Sequence, residues 1–187
     1  MDDIIKSDLF RYVPESYSIK TLYKGFREPG FCFLFFFRKA SKYPKKSICG
    51  LFYRLFRRKY YYKFGFLIEV VTEIGPGFYI GHFGTIVISP MAKIGKNCNI
   101  AHGVTVGRIG LGSKKGAPII GDNVWMGTNA VIVGGITIGS HVLIAPGAFV
   151  NFDVPDNSMV IGNPGTIIPK MNPVKNYIRN ILEESGG

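Results

Sequence analysis

The side chains best suited to take and return a proton near neutral pH are the three histidines, His82, His102 and His141. His82 stands two residues after Ile80, and His102 stands two residues after Ile100. His141 stands three residues after Ile138. The first two therefore share a position relative to an aliphatic landmark, and the third does not. No Ser or Cys lies beside a histidine in a nucleophile motif, so general-base chemistry without a covalent protein intermediate is the expectation. Cys32, Cys49 and Cys98 are odd in number and not closely spaced, which fits neither a disulfide framework nor a zinc knuckle. A reducing, cytoplasmic compartment is the simplest reading.

The landmarks belong to a repeat that must position the histidines. From Ile120, an aliphatic residue or Met recurs at every sixth position: Met126, Ile132, Ile138, Ile144 and Val150. A small residue often follows, as at Gly121, Gly127, Gly139 and Ala145. Upstream, Ile88, Ile94, Ile100 and Val106 keep the same step; Ile74 and Ile80 keep it with two extra residues before Ile88. A period of six is neither that of a simple strand nor that of an amphipathic helix. It predicts a β-helix in which each short strand makes one side of a prism and three hexads close a coil of about 18 residues. The repeated aliphatic points inward and stacks on its copy about 4.8 Å away, and the small residue suits the corner. The spacing of 20 from His82 to His102 is one coil plus the two-residue insertion, which predicts equivalent positions on neighbouring coils. His141 falls in another register and is read as a residue of the fold. A zinc site needs three such ligands on one ion, so no metal is expected.

The segments IGKNCNIAHGVTVG, IGDNVWMGTNAVIVGGITIG and VIGNPG resemble the left-handed β-helix acyltransferases of the hexapeptide-repeat superfamily. The segment IGPGFYIGHFGTIVISPMAKIG resembles the serine acetyltransferase branch and its relatives in surface-polysaccharide gene clusters. The resemblance covers about residues 67–169 and, more loosely, the helical N-terminus. It implies a left-handed winding, a homotrimer, and transfer of an acetyl group from acetyl-CoA to a hydroxyl. Such a transfer needs a base for the hydroxyl proton, a donor for the tetrahedral oxyanion, and a slot that keeps water out. By the resemblance, His82 matches the catalytic histidine, and His102 supports it or shares the role. Gly127, Thr128, Ala145 and Pro146 match corner positions along which the pantetheine arm lies. Lys114 and Lys115, in the rhythm-breaking loop of residues 108–118, are candidates for the coenzyme's phosphates. Lys170, just beyond the closing turn Asn163-Pro164-Gly165, is a third. Pro118 and Trp125 are expected to serve the fold.

The chain departs from that branch at telling positions. The Asp fifteen residues before the catalytic histidine is Leu67 here, and the Asp directly before it is Gly81. The Arg-His pair before a proline is Gly116-Ala117 before Pro118, which removes a bidentate carboxylate clamp. Glu69 and Glu73 are the nearby acids available as substitutes for the missing orienter, but the preferred reading of each is a solvent-facing acid on the first coil. The galactoside and xenobiotic branch places its histidine in the 108–118 loop, which has none. These departures favour a sugar acceptor, small or lipid-linked, in surface-polysaccharide synthesis. L-Serine, in cysteine biosynthesis, is the alternative, and a non-catalytic trimeric scaffold is the reading from outside enzymology.

The fold class expected is mainly β: a left-handed parallel β-helix with a short helical N-terminal region and a C-terminal helix. Composition divides the chain near residue 66. Residues 17–66 hold 13 Lys/Arg against one acid, Glu28, and 17 of the 26 aromatics, whereas 20 of the 24 glycines follow. The expected regions are residues 1–66, basic, aromatic and helical; residues 67–169, the β-helix; and residues 170–187, a helix and tail. Pro14, Gly25, Pro29-Gly30, Pro44 and Gly50 are read as breaks between the first helices. After Asn172-Pro173 a helix is expected to about Glu184, with Val174, Tyr177, Ile178 and Ile181 on one face. The apolar run of residues 31–37 is far shorter than the roughly 20 residues a spanning helix needs. Asp2, Asp3, Lys6 and Asp8 stand where a signal peptide would be basic and then apolar. The basic, aromatic front end suits peripheral contact with an anionic membrane surface at the inner face of the cell membrane. Nucleic acid is not expected, since no nucleic-acid-binding motif is present.

Overall fold

The computed structural model describes residues 2–182. Four helices come first: α1 (Asp3–Tyr12), α2 (Ile19–Phe26), α3 (Pro29–Lys42) and α4 (Ile48–Phe64). Pro29 opens α3 within its first turn, where a missing N–H costs nothing. Gly25 and Gly50 do not break helices but lie inside α2 and α4. At Gly50 the reason is a close approach: a Cβ there would stand 2.0 Å from the Pro44 carbonyl oxygen.

The chain then winds as a solenoid with three faces. The first face carries β1 (Phe66–Ile68), β4 (Ile86–Ile88), β7 (Thr105–Gly107), β10 (Val131–Val133) and β13 (Phe149–Val150). The second carries β2 (Glu73–Ile74), β5 (Lys93–Ile94), β8 (Ile119–Ile120) and β11 (Thr137–Ile138). The third carries β3 (Tyr79–Ile80), β6 (Asn99–Ile100), β9 (Trp125–Met126), β12 (Val142–Ile144), β14 (Ser158–Ile161) and β15 (Thr166–Pro169). All neighbours pair in parallel except β14 with β15, which closes the last coil antiparallel. The architecture is a left-handed β-helix of hexapeptide repeats.

Every repeated aliphatic of the sequence pattern is buried, the most accessible being Ile74 at 7%. They stack as the period requires: Ile88 on Val106 and Ile132, Ile94 on Ile120 and Ile138, Ile100 on Met126 and Ile144. Ile68 extends the first column at one end, and Val160 extends the third at the other. Each such side chain contributes roughly 1.5–3 kcal/mol by leaving water.

A buried polar latch ties the helices to the first coil. The Asp8 carboxylate on α1 accepts from Arg38 Nε of α3 at 2.8 Å and from the Phe78 backbone N–H at 3.0 Å. Arg38 also donates to the carbonyl oxygens of Ile74 and Gly75. Around it, Phe33, Leu34 and Phe37 of α3 join the solenoid's own core.

The expected C-terminal helix is absent among the described residues. Residues 173–177 form successive turns, bounded by Asn172 and Asn180 in the left-handed region (φ 42° and 55°). One turn between two such residues does not recover the cost of helix nucleation. Val174 and Ile178 are nevertheless buried, packing on Leu143 with Trp125, Ala145 and Met159 around them, so the segment lies on the third face. Ile181 is 38% exposed, off that face. Glu183 and Glu184 lie outside the described residues.

Candidate active site

The corner from the third face to the first recurs once per coil. The residue two past the inward aliphatic occupies it. Since Ile80, Ile100, Met126 and Ile144 pair in register, the column reads His82, His102, Thr128 and Pro146. The two imidazoles meet edge to face, with centroids 5.9 Å apart and planes at 76°, and both side chains are exposed. The two-residue insertion before Ile88 is accommodated at Gly84, whose φ of +141° suits glycine alone. A Cβ there would stand 3.1 Å from His102 Cβ, so the glycine also lets the loop pass over the second histidine. Gly84 N–H is held by the Phe64 carbonyl at the end of α4 at 3.0 Å.

A pocket of about 230 Å³ lies beside His82. Gly81, Ala101 and Thr128 line it on the corner side, and Trp125 and Tyr177 line it across the third face. The Tyr177 ring packs on Trp125 at 4.9 Å, and its carbonyl accepts from Asn99 Nδ2 at 3.1 Å. The C-terminal segment is thus a pocket wall. Trp125, which the sequence pattern gives to the fold, is a wall as well.

Glu69 and Glu73 are exposed acids away from the histidines, as the preferred reading of each expects. Glu69 lies 3.7 Å from Arg57 Nη2, and Glu73 lies 3.1 Å from Lys93 Nζ. Leu67 points outward from β1, 38% exposed. Among the described residues neither imidazole has a hydrogen-bond partner.

The coenzyme candidates are spread over the three corners. Thr128 lines the pocket and Pro146 is exposed next in the column. Gly127 is dictated by packing, because a Cβ would stand 2.6 Å from Pro146 N. Ala145 packs against the C-terminal segment. Lys114 and Lys115 are exposed in a loop closed by the Ile109–Gly116 bridge. The Lys114 carbonyl accepts from Gly135 N–H at 2.9 Å, which fixes the loop at the corner between the first and second faces. Within one chain the structure therefore does not bring these lysines to the histidines. Lys170 is exposed beyond β15, its N–H on the Asn157 carbonyl.

His141 occupies the remaining corner, between the second and third faces, its N–H bonded to the Asp122 carbonyl at 2.9 Å. Among the described residues no group of three His, Cys, Asp or Glu side chains stands close enough to hold a metal ion. Burial pushes the Cys98 thiol up to about 12, so it is no nucleophile at neutral pH.

Tyr79, Asn99 and Trp125 share the outward position one before the inward aliphatic, so the hexad register itself was their signal. Tyr177 lies outside the repeat and carries no such mark.

Residues 117–151 match the family model described as Bacterial transferase hexapeptide (six repeats). Serine acetyltransferase 4 of Arabidopsis thaliana is 40% identical over 105 residues, which are 56% of this chain and 30% of that one. The serine acetyltransferase of Bacillus subtilis is 35% identical over 125 residues, covering 61% of this chain and 58% of that one. The chain thus spans less than two thirds of the length of these curated relatives. Among solved structures, the serine acetyltransferase of Brucella abortus in complex with coenzyme A has a TM-score of 0.74 at 27% identity, over 90% of this chain and 68% of that one. In the motif of residues 117–151 and in its winding, the solenoid is similar to the hexapeptide-repeat acyltransferases, serine acetyltransferases among them.

Proposed function

We propose that the chain is an acetyl-CoA-dependent O-acetyltransferase with His82 as general base. The observation that carries this reading is the pair of exposed imidazoles on neighbouring coils, the first of them, His82, lining a pocket in a serine acetyltransferase-like solenoid. His82 takes the proton of the acceptor hydroxyl as its oxygen attacks the thioester carbonyl. The new C–O bond forms, the C–S bond breaks, and the imidazolium returns the proton to the leaving thiolate. Backbone N–H groups at the coil corner meet the charge on the carbonyl oxygen. His102 is a positioning residue, holding the first ring by edge-to-face contact.

L-Serine is the acceptor that the relatives favour. A sugar of surface-polysaccharide synthesis is the second reading, and it rests on Leu67, Gly81 and Gly116-Ala117 standing where the resembled branch has its orienting and acceptor-binding groups. A homotrimer belongs to the same proposal, since the lysine loop and the histidine column, on different corners of one chain, then meet across a subunit boundary. Peripheral membrane contact would use α4. That helix has no acid and exposes Ile48, Leu51, Phe52 and Leu55 beside its Arg and Lys residues.

Thiol release from acetyl-CoA, with L-serine and with a panel of free sugars, tests the reading. Release with L-serine alone supports the first acceptor, and release with sugars alone supports the second. Absence of release with every hydroxyl acceptor would leave a trimeric scaffold in its place, and an unimpaired His82→Ala protein would remove His82 as the base.

A further inference from the structure

Arg11 of α1 is 4% exposed. Its Nη2 donates to Asn99 Oδ1 on β6, while Nε and Nη1 have no hydrogen-bond partner. Arg38 and Arg57 each meet a carboxylate, and among the described residues Arg11 meets none. Asp8, one turn earlier on α1, is already held by Arg38 and the Phe78 N–H. The guanidinium lies over the Tyr79 ring at 5.7 Å, and burial pulls its pKa below the ordinary value. A charge this dry is costly unless a counter-charge reaches it.

A pocket of about 180 Å³ adjoins it, walled by Arg11, Tyr79, Asn99, Tyr177, Arg179 and Asn180. Two of the six are cationic and none is acidic. Tyr79, Asn99 and Tyr177 also line the pocket beside His82. Tyr79 and His82 are three residues apart, so the two pockets lie within on the order of 10 Å of each other along the chain.

We propose that this pocket binds an oxyanion carried by the acceptor, a phosphate or a carboxylate, with Arg11 and Arg179 as its cationic walls. The guanidinium groups suit such oxygens better than an ammonium would. An acceptor anchored there presents its hydroxyl towards His82, so the proposal rests on the acetyl-transfer reading above. It supplies from α1 and the C-terminal segment the clamp that Gly116-Ala117 lacks.

The test is calorimetric titration of the full chain, without acetyl-CoA, with inorganic phosphate and separately with L-serine. Serinol, which has the hydroxyls and amine without the carboxylate, is the control. Wild type and His82→Ala are expected to bind one of the two anions. Arg11→Met is expected to raise the Kd about tenfold or more, the effect of losing charge-assisted bonds in a dry site. Tighter phosphate binding assigns a phosphorylated acceptor; L-serine binding without serinol binding assigns a carboxylate. Should Arg11→Met not fold, Arg179→Ala, at an exposed position, is expected to weaken binding in the same direction. Wild-type protein that binds neither anion, or arginine variants that bind as wild type does, overturns the proposal. A His82→Ala protein with normal anion binding and normal turnover would remove His82 as the base and leave the anion site standing, whereas wild-type protein that binds the anion yet releases no thiol from acetyl-CoA with any acceptor would sink the acetyl-transfer reading alone.

Discussion

In the solenoid a buried side chain rests on its own copy one coil away; in the helical cap Phe31, Phe33, Leu34 and Phe37 are buried against partners that share no register. The first arrangement builds stability from many equivalent small steps, as in other repeat structures. The second concentrates it in an aromatic cluster and one buried ion pair. The site draws on both. The solenoid sets the histidine spacing, and the cap and C-terminal segment bring Arg11 and Tyr177 to the third face.

The largest expected effect lies on the solenoid side. His82→Ala should lower the rate of acetyl transfer by about 10²- to 10⁴-fold, with unchanged circular dichroism and an unchanged melting midpoint. His102→Ala should cost less and distort the pH profile of the rate, since it positions the base. Equal losses from both, with one unaltered pH profile, would erase the distinction between base and support.

On the cap side, Asp8→Ala should lower stability by about 3–5 kcal/mol in urea unfolding, because it leaves Arg38 buried without its partner. Ile132→Ala, inside the stacked first column, should cost about 2–5 kcal/mol. If Asp8→Ala proves neutral, the ion pair is not what joins the two regions, and the aromatic contacts must do so.

Cysteine labelling sharpens the contrast further. Iodoacetamide on the native protein at neutral pH should modify Cys49, which is exposed. It should spare Cys32 and Cys98, whose thiols are buried and raised in pKa. Mass spectrometry showing modified Cys98 before unfolding would mean that the solenoid core opens locally.

The smallest change is expected on the outer face of α4. Phe52→Ser with Leu55→Ser should alter stability by only about 0.5 kcal/mol per site, since both are exposed. Their effect should instead appear as weaker co-sedimentation with vesicles rich in phosphatidylserine. Undiminished co-sedimentation removes α4 from membrane contact.

The same contrast explains what could be read without coordinates. Ile74 through Val150 announced three faces because each buried position repeats the last, and His82 and His102 inherited their neighbourhood from Ile80 and Ile100. The insertion did not obscure this, since Gly84 absorbs it locally. The C-terminal helix failed because Val174, Tyr177 and Ile178 have helical spacing, yet their partner is the third face and Asn172 and Asn180 turn the chain at either end. Arg11 was invisible for a related reason. Its surroundings come from α1, the solenoid and the C-terminal segment, and no local pattern links residues 11, 99 and 179.

The corner column His82, His102, Thr128 and Pro146 is, in effect, a graduated scale. Each mark lies one inter-strand spacing above the last, so the distance from the first imidazole to the proline is roughly 14 Å. That length does not depend on which residues occupy the marks. Adding or removing a whole coil between Met126 and Ile144 would reset it by one division while leaving the chemistry at His82 untouched.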